Sequence, residues 1–168
     1  MSHAVYLGLG ANLGQAIEQL QWAIQQLQQL PQSQLSAVSH LYRSKPALGS
    51  PPNQPDYLNA AVLLHTTLDP FTLLIELQGL EQLAGRVRHE RWGPRTLDID
   101  ILLYDTDIIH SDSLKIPHPE LTKRHFVVLP LLDINPQLTL PDEVKVSSLS
   151  CAMLSDEIQR IQTHHWWK

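Results

Sequence analysis

The order of strand-like and helix-like periodicity along the chain restricts its fold more than any other feature. Val5, Leu7 and Leu9 alternate with less apolar neighbours, which predicts a strand, and apolar residues then recur at helical spacing up to Leu30. Asp69 before a proline predicts the start of a later helix. The predicted elements, in order, are a strand at 5–9 ending in a glycine turn at 10–14, a helix at 17–30, a strand at 35–42, a proline-rich loop at 44–55, a strand at 57–66, a helix at 70–85 and a strand at 97–104.

This βαββαβ order predicts an α+β fold, the ferredoxin-like sandwich, in which an antiparallel sheet carries its helices on one face. Beyond it we expect a small hairpin at 108–116, a helix at 124–133 and a C-terminal helical extension of short turns. A chain of 168 residues is long enough for one well-packed core and short for two. We therefore predict a single domain over 1–168.

Composition narrows the class of protein. No apolar run approaches the roughly 20 residues that a membrane span requires, and the chain opens with no signal-peptide pattern. Its net charge of −5 argues against a general nucleic-acid binder, which would carry a basic face. Cys151 is the one cysteine, which excludes an internal disulfide and fits a reducing compartment. We predict a cytoplasmic protein that binds neither nucleic acid nor membrane.

Two carboxylates, Asp98 and Asp100, are separated by one residue in the last predicted strand. Residues two apart in a strand point to the same face, so the two acids project together while Ile99 turns into the core. A bound divalent cation is the usual way to offset the repulsion between such acids. The pair alone is also compatible with a solvent-facing polar edge, and the basic residues that precede it favour the metal site.

Four arginines cluster just before this pair on an otherwise acidic chain. Arg86, Arg88, Arg91 and Arg95 surround Trp92 and a Gly-Pro turn. Guanidinium groups match the geometry of phosphate oxygens, and concentrated positive charge on an acidic protein indicates a small polyanionic ligand. The alternative, a solvated surface turn, would more often mix Lys with Glu. The loop could also close over a bound ligand and exclude water.

Tyr57 and Asn59 share one face of the third predicted strand. An aromatic plane beside an amide that both donates and accepts hydrogen bonds suits a flat heterocycle. Taken alone, the pair is better explained as an ordinary half-buried strand face.

Several runs together resemble the hydroxymethyldihydropterin pyrophosphokinase family of folate biosynthesis. The likeness covers about residues 4–136 in the same order along the chain, and the run at 91–100 is highly specific. The runs that carry it are Leu9-Gly10-Ala11-Asn12-Leu13-Gly14, Pro55-Asp56-Tyr57-Leu58-Asn59-Ala60-Ala61-Val62, Gly85-Arg86-Val87-Arg88, Arg91-Trp92-Gly93-Pro94-Arg95-Thr96-Leu97-Asp98-Ile99-Asp100 and Ile116-Pro117-His118-Pro119.

The resemblance implies transfer of diphosphate from ATP to the hydroxymethyl group of a reduced pterin, with release of AMP. It implies that Asp98 and Asp100 hold two Mg²⁺ ions and that Arg86 and Arg95 are catalytic. The implied pterin-binding residues are Tyr57, Asn59, Asp98 and Phe126. The implied ATP-binding residues are Gln78, Glu81, Arg88, Trp92, Ile101, His118 and Arg124. The expected partners are these small-molecule substrates, and the expected state is a monomer.

Three alternatives are separable by experiment. Another magnesium-dependent nucleotide enzyme would share the Arg and Asp cluster without needing Tyr57, Asn59 and Phe126, so substrate profiling would distinguish it. An RNA-binding module of the same fold would carry a basic sheet face with exposed aromatic residues. A catalytically silent regulatory domain would fail to bind ATP.

Overall fold

A computed structural model of the chain describes residues 1–12, 15–44, 57–88, 97–150, 152, 158–162 and 165–168, with the backbone alone at 86–88 and 162. The strands are β1 (His3–Asn12), β2 (Ser33–Val38), β3 (Leu41–Ser44), β4 (Tyr57–Thr66), β5 (Leu97–Tyr104), β6 (Ile109–His110), β7 (Lys115–Ile116) and β8 (Ile158–Gln162). The helices are α1 (Ala16–Gln28), α2 (Pro70–Arg88) and α3 (His125–Ile134), with 3-10 turns at Leu121–Lys123 and Val146–Ser148.

Six strands form one sheet in which every pairing is antiparallel. The strands lie in the order β5-β1-β4-β3-β8, and β2 pairs with β4 beside β3. β1 pairs with β4 along its whole length, from His3 opposite Thr66 to Asn12 opposite Tyr57. The short strands β6 and β7 form a separate hairpin. The described residues therefore form a mixed α/β fold around an antiparallel sheet with three α-helices. None of the helices within these residues is long and apolar enough to cross a membrane.

One face of the sheet packs against α1 and α2. Every second residue of β1, beginning with Val5 and Leu7, joins one hydrophobic cluster with Ile24 of α1 and Leu77 of α2. These four side chains are completely buried. Burial of a Leu or Ile side chain contributes about 1.5–3 kcal/mol, so this layer supplies much of the folding free energy.

The opposite face of the sheet is covered only in part, by α3 and the segment around it. Tyr6, Ala61 and Leu102 on this face form a second cluster with Val128 and Leu131 of α3. The strands therefore carry apolar residues on both faces at one end. Toward the other end, the α3 face carries polar residues.

Helix α2 begins at the cap that the sequence predicts. The Asp69 carboxylate accepts hydrogen bonds from the backbone N–H groups of Phe71 and Thr72 at 3.0 and 2.9 Å. It also accepts one from the Thr72 hydroxyl at 2.7 Å. These hydrogen bonds lower the pKa of Asp69, and the one from the Thr72 hydroxyl contributes most. An N-cap of this kind satisfies donors that the first helical turn would leave unpaired.

Most predicted elements are confirmed. β4 and β5 have the predicted bounds, α1 and α3 differ from theirs by one or two residues, and the hairpin lies where expected. Helix α2 continues three residues past its predicted end at Gly85. The extra turn includes the backbone of Arg86 and Arg88.

The predicted glycine turn after β1 is wrong for its first residues. β1 continues to Asn12, and Gly8 and Gly10 lie inside it with partners on both sides. The other two turn residues, 13 and 14, lie outside the described part of the chain. Gly8 and Gly10 therefore lie in a central strand of the sheet and not in a turn.

The single strand predicted at 35–42 is two strands, β2 and β3, both paired with β4. The break falls at Ser39, whose hydroxyl oxygen accepts the Ala61 N–H at 2.8 Å. The Ser39 N–H donates to the Ala61 carbonyl at 2.9 Å. Ser39 therefore pairs with both the N–H and the carbonyl of Ala61 at the point where β2 ends. A serine hydroxyl competes with ladder hydrogen bonds in this way.

The C-terminal helical extension is only partly correct. After α3 the described residues include a 3-10 turn at 146–148, but they also include strand β8, which pairs antiparallel with β3 at the edge of the sheet. Farther on, the Trp166 indole N–H donates to the Ser39 carbonyl at 2.8 Å, and the ring is buried. The end of the described chain is therefore part of the main sheet and its core.

Candidate active site

The polar residues on the α3 face of the sheet lie in two rows that cross its central strands. In the first row, Asp98 of β5 is opposite Gly10 of β1, which is opposite Asn59 of β4. In the second, Asp100 is opposite Gly8. Directly paired residues share a face, so both carboxylates and the amide project away from α1 and α2. The two acids thus point to one side, as the sequence predicts.

The glycines of β1 are required by close approach. A Cβ atom on Gly10 would lie 3.0 Å from Asn59 Nδ2, and one on Gly8 would lie 3.3 Å from the side chain of Leu102. Such distances are shorter than ordinary van der Waals contact. The bare backbone of β1 therefore lets the Asn59 amide and the Leu102 side chain lie close against the strand.

These rows form the floor of a cavity of about 680 Å³ between the sheet and the start of α3. Its volume lies in the range of small-molecule sites. The described residues that line it are Gly8, Leu9, Gly10, Ser44, Tyr57, Asn59, Ala60, Ala61, Asp98, Asp100, Leu102, Lys123, Arg124, His125, Phe126, Val127 and Ile158.

Every residue implied for the pterin lines this cavity. Tyr57 and Asn59 come from β4, Asp98 from β5, and Phe126 from the first turn of α3. The Arg124 guanidinium lies 5.4 Å from the centre of the Phe126 ring, within the range of a cation–π contact. One end of the cavity is therefore aromatic and the other acidic.

His118 lies beside the acidic end. Its Nε2 is 3.9 Å from Asp100 Oδ2, and its Nδ1 accepts the backbone N–H of Glu120 at 3.1 Å. A neutral imidazole that accepts at Nδ1 carries its proton on Nε2. The ring therefore presents an N–H group toward Asp100, whose side chain is about half exposed at 52%.

The donors at the acidic end fit Mg²⁺. Two carboxylates on one strand face supply hard oxygen ligands, and Mg²⁺ is usually held by one or two carboxylates together with water and substrate phosphates. No group of three or more His, Cys, Asp or Glu side chains arranged for a metal occurs among the described residues. The remaining ligands of an ion at Asp98 and Asp100 would come from water and the phosphates.

Four described residues implied for ATP do not line the cavity: Gln78, Glu81, Ile101 and His118. Gln78 is exposed on α2, and Ile101 is 4% exposed in the core against the helices. Glu81 reaches the outer edge of β5, where its Oε2 accepts the Ile99 N–H at 2.8 Å. The side chain of Ile101 thus points away from the cavity, and a nucleotide contact there would have to use its backbone.

The predicted arginine cluster is described only in outline. Trp92 and Arg95 lie outside the described residues, as does Arg91. Arg86 and Arg88 are in the last turn of α2, where the structure describes the backbone alone. Their proposed contacts with phosphate therefore stay predictions.

Several cavity residues are absent from the predicted set. Gly8 and Gly10 share a strand face by the same two-residue spacing as the aspartates, so that signal was present in the sequence. Ser44 and Lys123 carried no comparable signal, and Ile158 lies beyond the resemblance. Ile158 lines the cavity because β8 pairs with β3, and a pairing between segments so far apart in the chain leaves no local signal in the sequence.

Strand β8 is held in place by a polar network behind the cavity. The Tyr42 hydroxyl donates to Asp133 Oδ2 at 2.7 Å, and Arg160 of β8 donates from Nε to the same hydroxyl at 3.3 Å and lies 3.5 Å from Asp133 Oδ1. Burial, followed by the hydrogen bond to Asp133, raises the pKa of Tyr42 well above its usual range. Tyr42 and Ile158 belong to one buried cluster, and Phe126 packs against that cluster, so the network supports two walls of the cavity.

The fold and the cavity thus define a candidate small-molecule site with an acidic end and an aromatic end. Residues 6–136 match the family model described as 7,8-dihydro-6-hydroxymethylpterin-pyrophosphokinase (HPPK). The chain belongs to this family. This confirms the resemblance drawn from the sequence.

Individual relatives agree. The chain is 46% identical over 144 residues to the 2-amino-4-hydroxy-6-hydroxymethyldihydropteridine pyrophosphokinase of Haemophilus influenzae, covering 86% of this chain and 89% of the relative. It is 44% identical over 161 residues to the protein of the same name from Pseudomonas aeruginosa, covering 96% and 98%. The wild-type HPPK-DHPS of Plasmodium falciparum has the same fold, with a TM-score of 0.73 at 14% identity, over 95% of this chain and 48% of that one.

Proposed function

We propose that this chain catalyses the reaction for which its family is named. Diphosphate passes from ATP to the hydroxymethyl group of 6-hydroxymethyl-7,8-dihydropterin, giving AMP and the pterin diphosphate for folate synthesis. The substrate hydroxyl oxygen loses its proton to solvent and forms a bond to the β-phosphorus as the bond from that phosphorus to the α-phosphate oxygen breaks, so that this oxygen leaves with AMP. Catalysis of this kind depends chiefly on positioning and electrostatics.

The row Asp98–Gly10–Asn59 is the observation that carries this proposal. Neighbouring strands lie about 4.8 Å apart, so the carboxylate and the amide stand on backbones about 10 Å apart with a bare glycine between them. A flat two-ring heterocycle in the cavity could contact the amide with its edge and reach the acidic end with its substituent. Tyr57 and Phe126 line the same cavity and would cover the two faces of the ring.

Asp98 and Asp100 would hold two Mg²⁺ ions, and Asp98 would also lie near the pterin. The ions would neutralise the triphosphate and polarise its phosphoryl oxygens. Both carboxylates stand on a strand paired within the sheet, which keeps them fixed relative to Asn59. His118 would direct its Nε2–H group toward this end of the site.

The remaining roles follow the family resemblance. Arg86 and Arg95 would bind the phosphates as charge moves from the nucleophile to the leaving group. Arg124, which lines the cavity, would lie on the nucleotide side. The other residues proposed for ATP are Gln78, Glu81, Arg88, Trp92, Ile101 through its backbone, and His118.

We further propose that the fold is the ferredoxin-like sandwich and that 1–168 is one domain. The strand order β5-β1-β4 with β2 and β3 next, and the placement of α1 and α2 on one face, support the first. Two hydrophobic clusters on opposite faces of one sheet support the second. We also propose a cytoplasmic monomer, which analytical ultracentrifugation and cell fractionation would test.

The test is incubation with ATP, Mg²⁺ and 6-hydroxymethyl-7,8-dihydropterin while nucleotide products are separated by chromatography. We expect AMP and no ADP from the wild type. Asp98→Asn and Asp100→Asn should each lower turnover by roughly 10²-fold or more, as loss of a group that stabilises developing charge does. Asp112→Asn, the same change on an exposed residue between β6 and β7, is the matched control. Formation of ADP would contradict attack at the β-phosphorus.

A further inference from the structure

The amide of Asn59 is held between two neighbouring strands before any ligand binds. From β3, the Ser44 hydroxyl donates a hydrogen bond of 3.1 Å to Asn59 Oδ1. From β1, the bare backbone of Gly10 comes so close that an added Cβ would lie 3.0 Å from Nδ2. Ser44 and Asn59 are 7% and 8% exposed. The amide oxygen is thus held by a hydrogen bond, and the amide nitrogen lies close to the bare backbone of β1.

This restraint acts on a torsion that is otherwise soft. The χ2 angle of asparagine has a broad energy profile, so an amide without a partner samples many planes. An amide hydrogen-bonds a flat ring edge well only when the two are close to coplanar, because the hydrogen bonds weaken as they bend. A group that already holds the amide plane removes an ordering cost from ligand binding.

We propose that Ser44 is a positioning residue for the pterin, acting through Asn59 by holding the plane of its amide. The inference rests on the proposed function. A carbonyl oxygen has two lone pairs, so the bond from Ser44 leaves acceptor capacity at Oδ1 for the ligand, and Nδ2 remains a donor. Ser44 is paired with Tyr57, and both line the cavity, so the hydroxyl stands at the pterin end and away from the acidic one.

A double-mutant cycle tests this role. Ser44→Ala should raise the KM for the pterin about tenfold, the loss of roughly one hydrogen bond, with the KM for ATP unchanged. Ser44→Thr, which keeps a hydroxyl, should restore the KM to near the wild-type value. Because Ser44 acts through Asn59, Ser44→Ala should add little to the loss caused by Asn59→Ala. AMP formation is the readout.

Ser33→Ala is the matched control. Ser33 also joins a neighbouring strand to β4, since its hydroxyl donates to Thr66 Oγ1 at 2.7 Å, but it lies at the other end of that strand. Its removal should change the melting temperature and leave the KM for the pterin unchanged. Ser44→Cys has a side chain of similar shape with a weaker donor, so its KM for the pterin should lie between those of the wild type and Ser44→Ala. This variant provides the measurement if Ser44→Ala fails to fold.

Two results would overturn the positioning role. One is an unchanged KM for the pterin in a folded Ser44→Ala or Ser44→Cys protein. The other is a full, additive loss from Ser44→Ala on top of Asn59→Ala, which would mean that the hydroxyl acts independently of the amide. A wild-type protein that forms no AMP would instead refute the proposed function, so the two failures are distinguishable.

Discussion

Gly10→Ala should weaken pterin binding without unfolding the protein. The added methyl carbon would lie 3.0 Å from Asn59 Nδ2, and ordinary contact begins near 3.4 Å, so the amide would have to retreat by about 0.4 Å. A misplacement of about 1 Å can cost 10²-fold in an active site, and a shift of this size therefore predicts about a tenfold loss, or roughly 1.4 kcal/mol. The loss should appear in the KM for the pterin.

The free energy of unfolding of Gly10→Ala should stay close to the wild-type value or rise slightly. Glycine in a strand interior is less stable than alanine by roughly 0.5–1 kcal/mol, which offsets the local strain at Gly10. The assay combines steady-state AMP formation, with each substrate varied in turn, and thermal unfolding followed by circular dichroism. We expect the KM for ATP to stay within about twofold of the wild-type value, because the added methyl group would touch Asn59 and not the acidic end of the cavity.

Gly79→Ala is the control for adding a methyl group. A Cβ at Gly79 would meet nothing within 4 Å, and the residue lies inside α2. The change should stabilise the protein by about 0.8–1 kcal/mol through helix propensity, a rise of roughly 2–4 °C in melting temperature, and leave both KM values unchanged. Our explanation for the glycine would be refuted if Gly10→Ala bound the pterin as well as the wild type.

Three further changes should have separable effects. Trp166→Phe removes the indole N–H that donates to the Ser39 carbonyl, so urea unfolding should show a free energy of unfolding lower by about 1–3 kcal/mol. An unchanged midpoint would mean that the break between β2 and β3 needs no such support. Phe126→Ala should raise the dissociation constant of the pterin about 10- to 100-fold in calorimetry by removing a stacking surface, and an equal effect on ATP binding would contradict that role. Asp69→Asn keeps the helix cap but abolishes its titration. Because folding lowers the pKa of Asp69 from 3.8, its carboxylate stabilises the fold above that pH and loses this contribution as the pH falls through the lower, folded-state value. The melting temperature of Asp69→Asn should therefore lie below that of the wild type at neutral pH and converge with it in acid, and a gap that persists in acid would refute the assignment.

The sequence predicts best those parts of the fold that short-range patterns determine. β5 and the start of α2 were located correctly because apolar alternation and an Asp-Pro cap are local signals. β8 was missed because its pairing with β3 joins residues more than a hundred positions apart, and its short sequence alternates poorly. The break at Ser39 was missed because it depends on Ala61 of another strand.

The same distinction applies to the candidate site. Asp98, Asp100, Tyr57 and Asn59 were assigned shared faces from their two-residue spacing, and the sheet bears this out. The sequence predicts a turn at Gly10, whereas the requirement for glycine there comes from the Asn59 side chain on the neighbouring strand. The contribution of a residue that works through a neighbouring strand cannot be read from its own segment.

The alternation of β5 links the fold to the site, so a change in the length of this strand would affect both. Leu97 and Ile99 are buried against the helices while Asp98 and Asp100 face the cavity. One residue gained or lost within this strand, with the pairing to β1 shifted to match, would turn both acids into an apolar interior and both aliphatic side chains outward. Folding and chemistry would then fail together, so a length change within this strand carries a cost that an exchange of side chains does not.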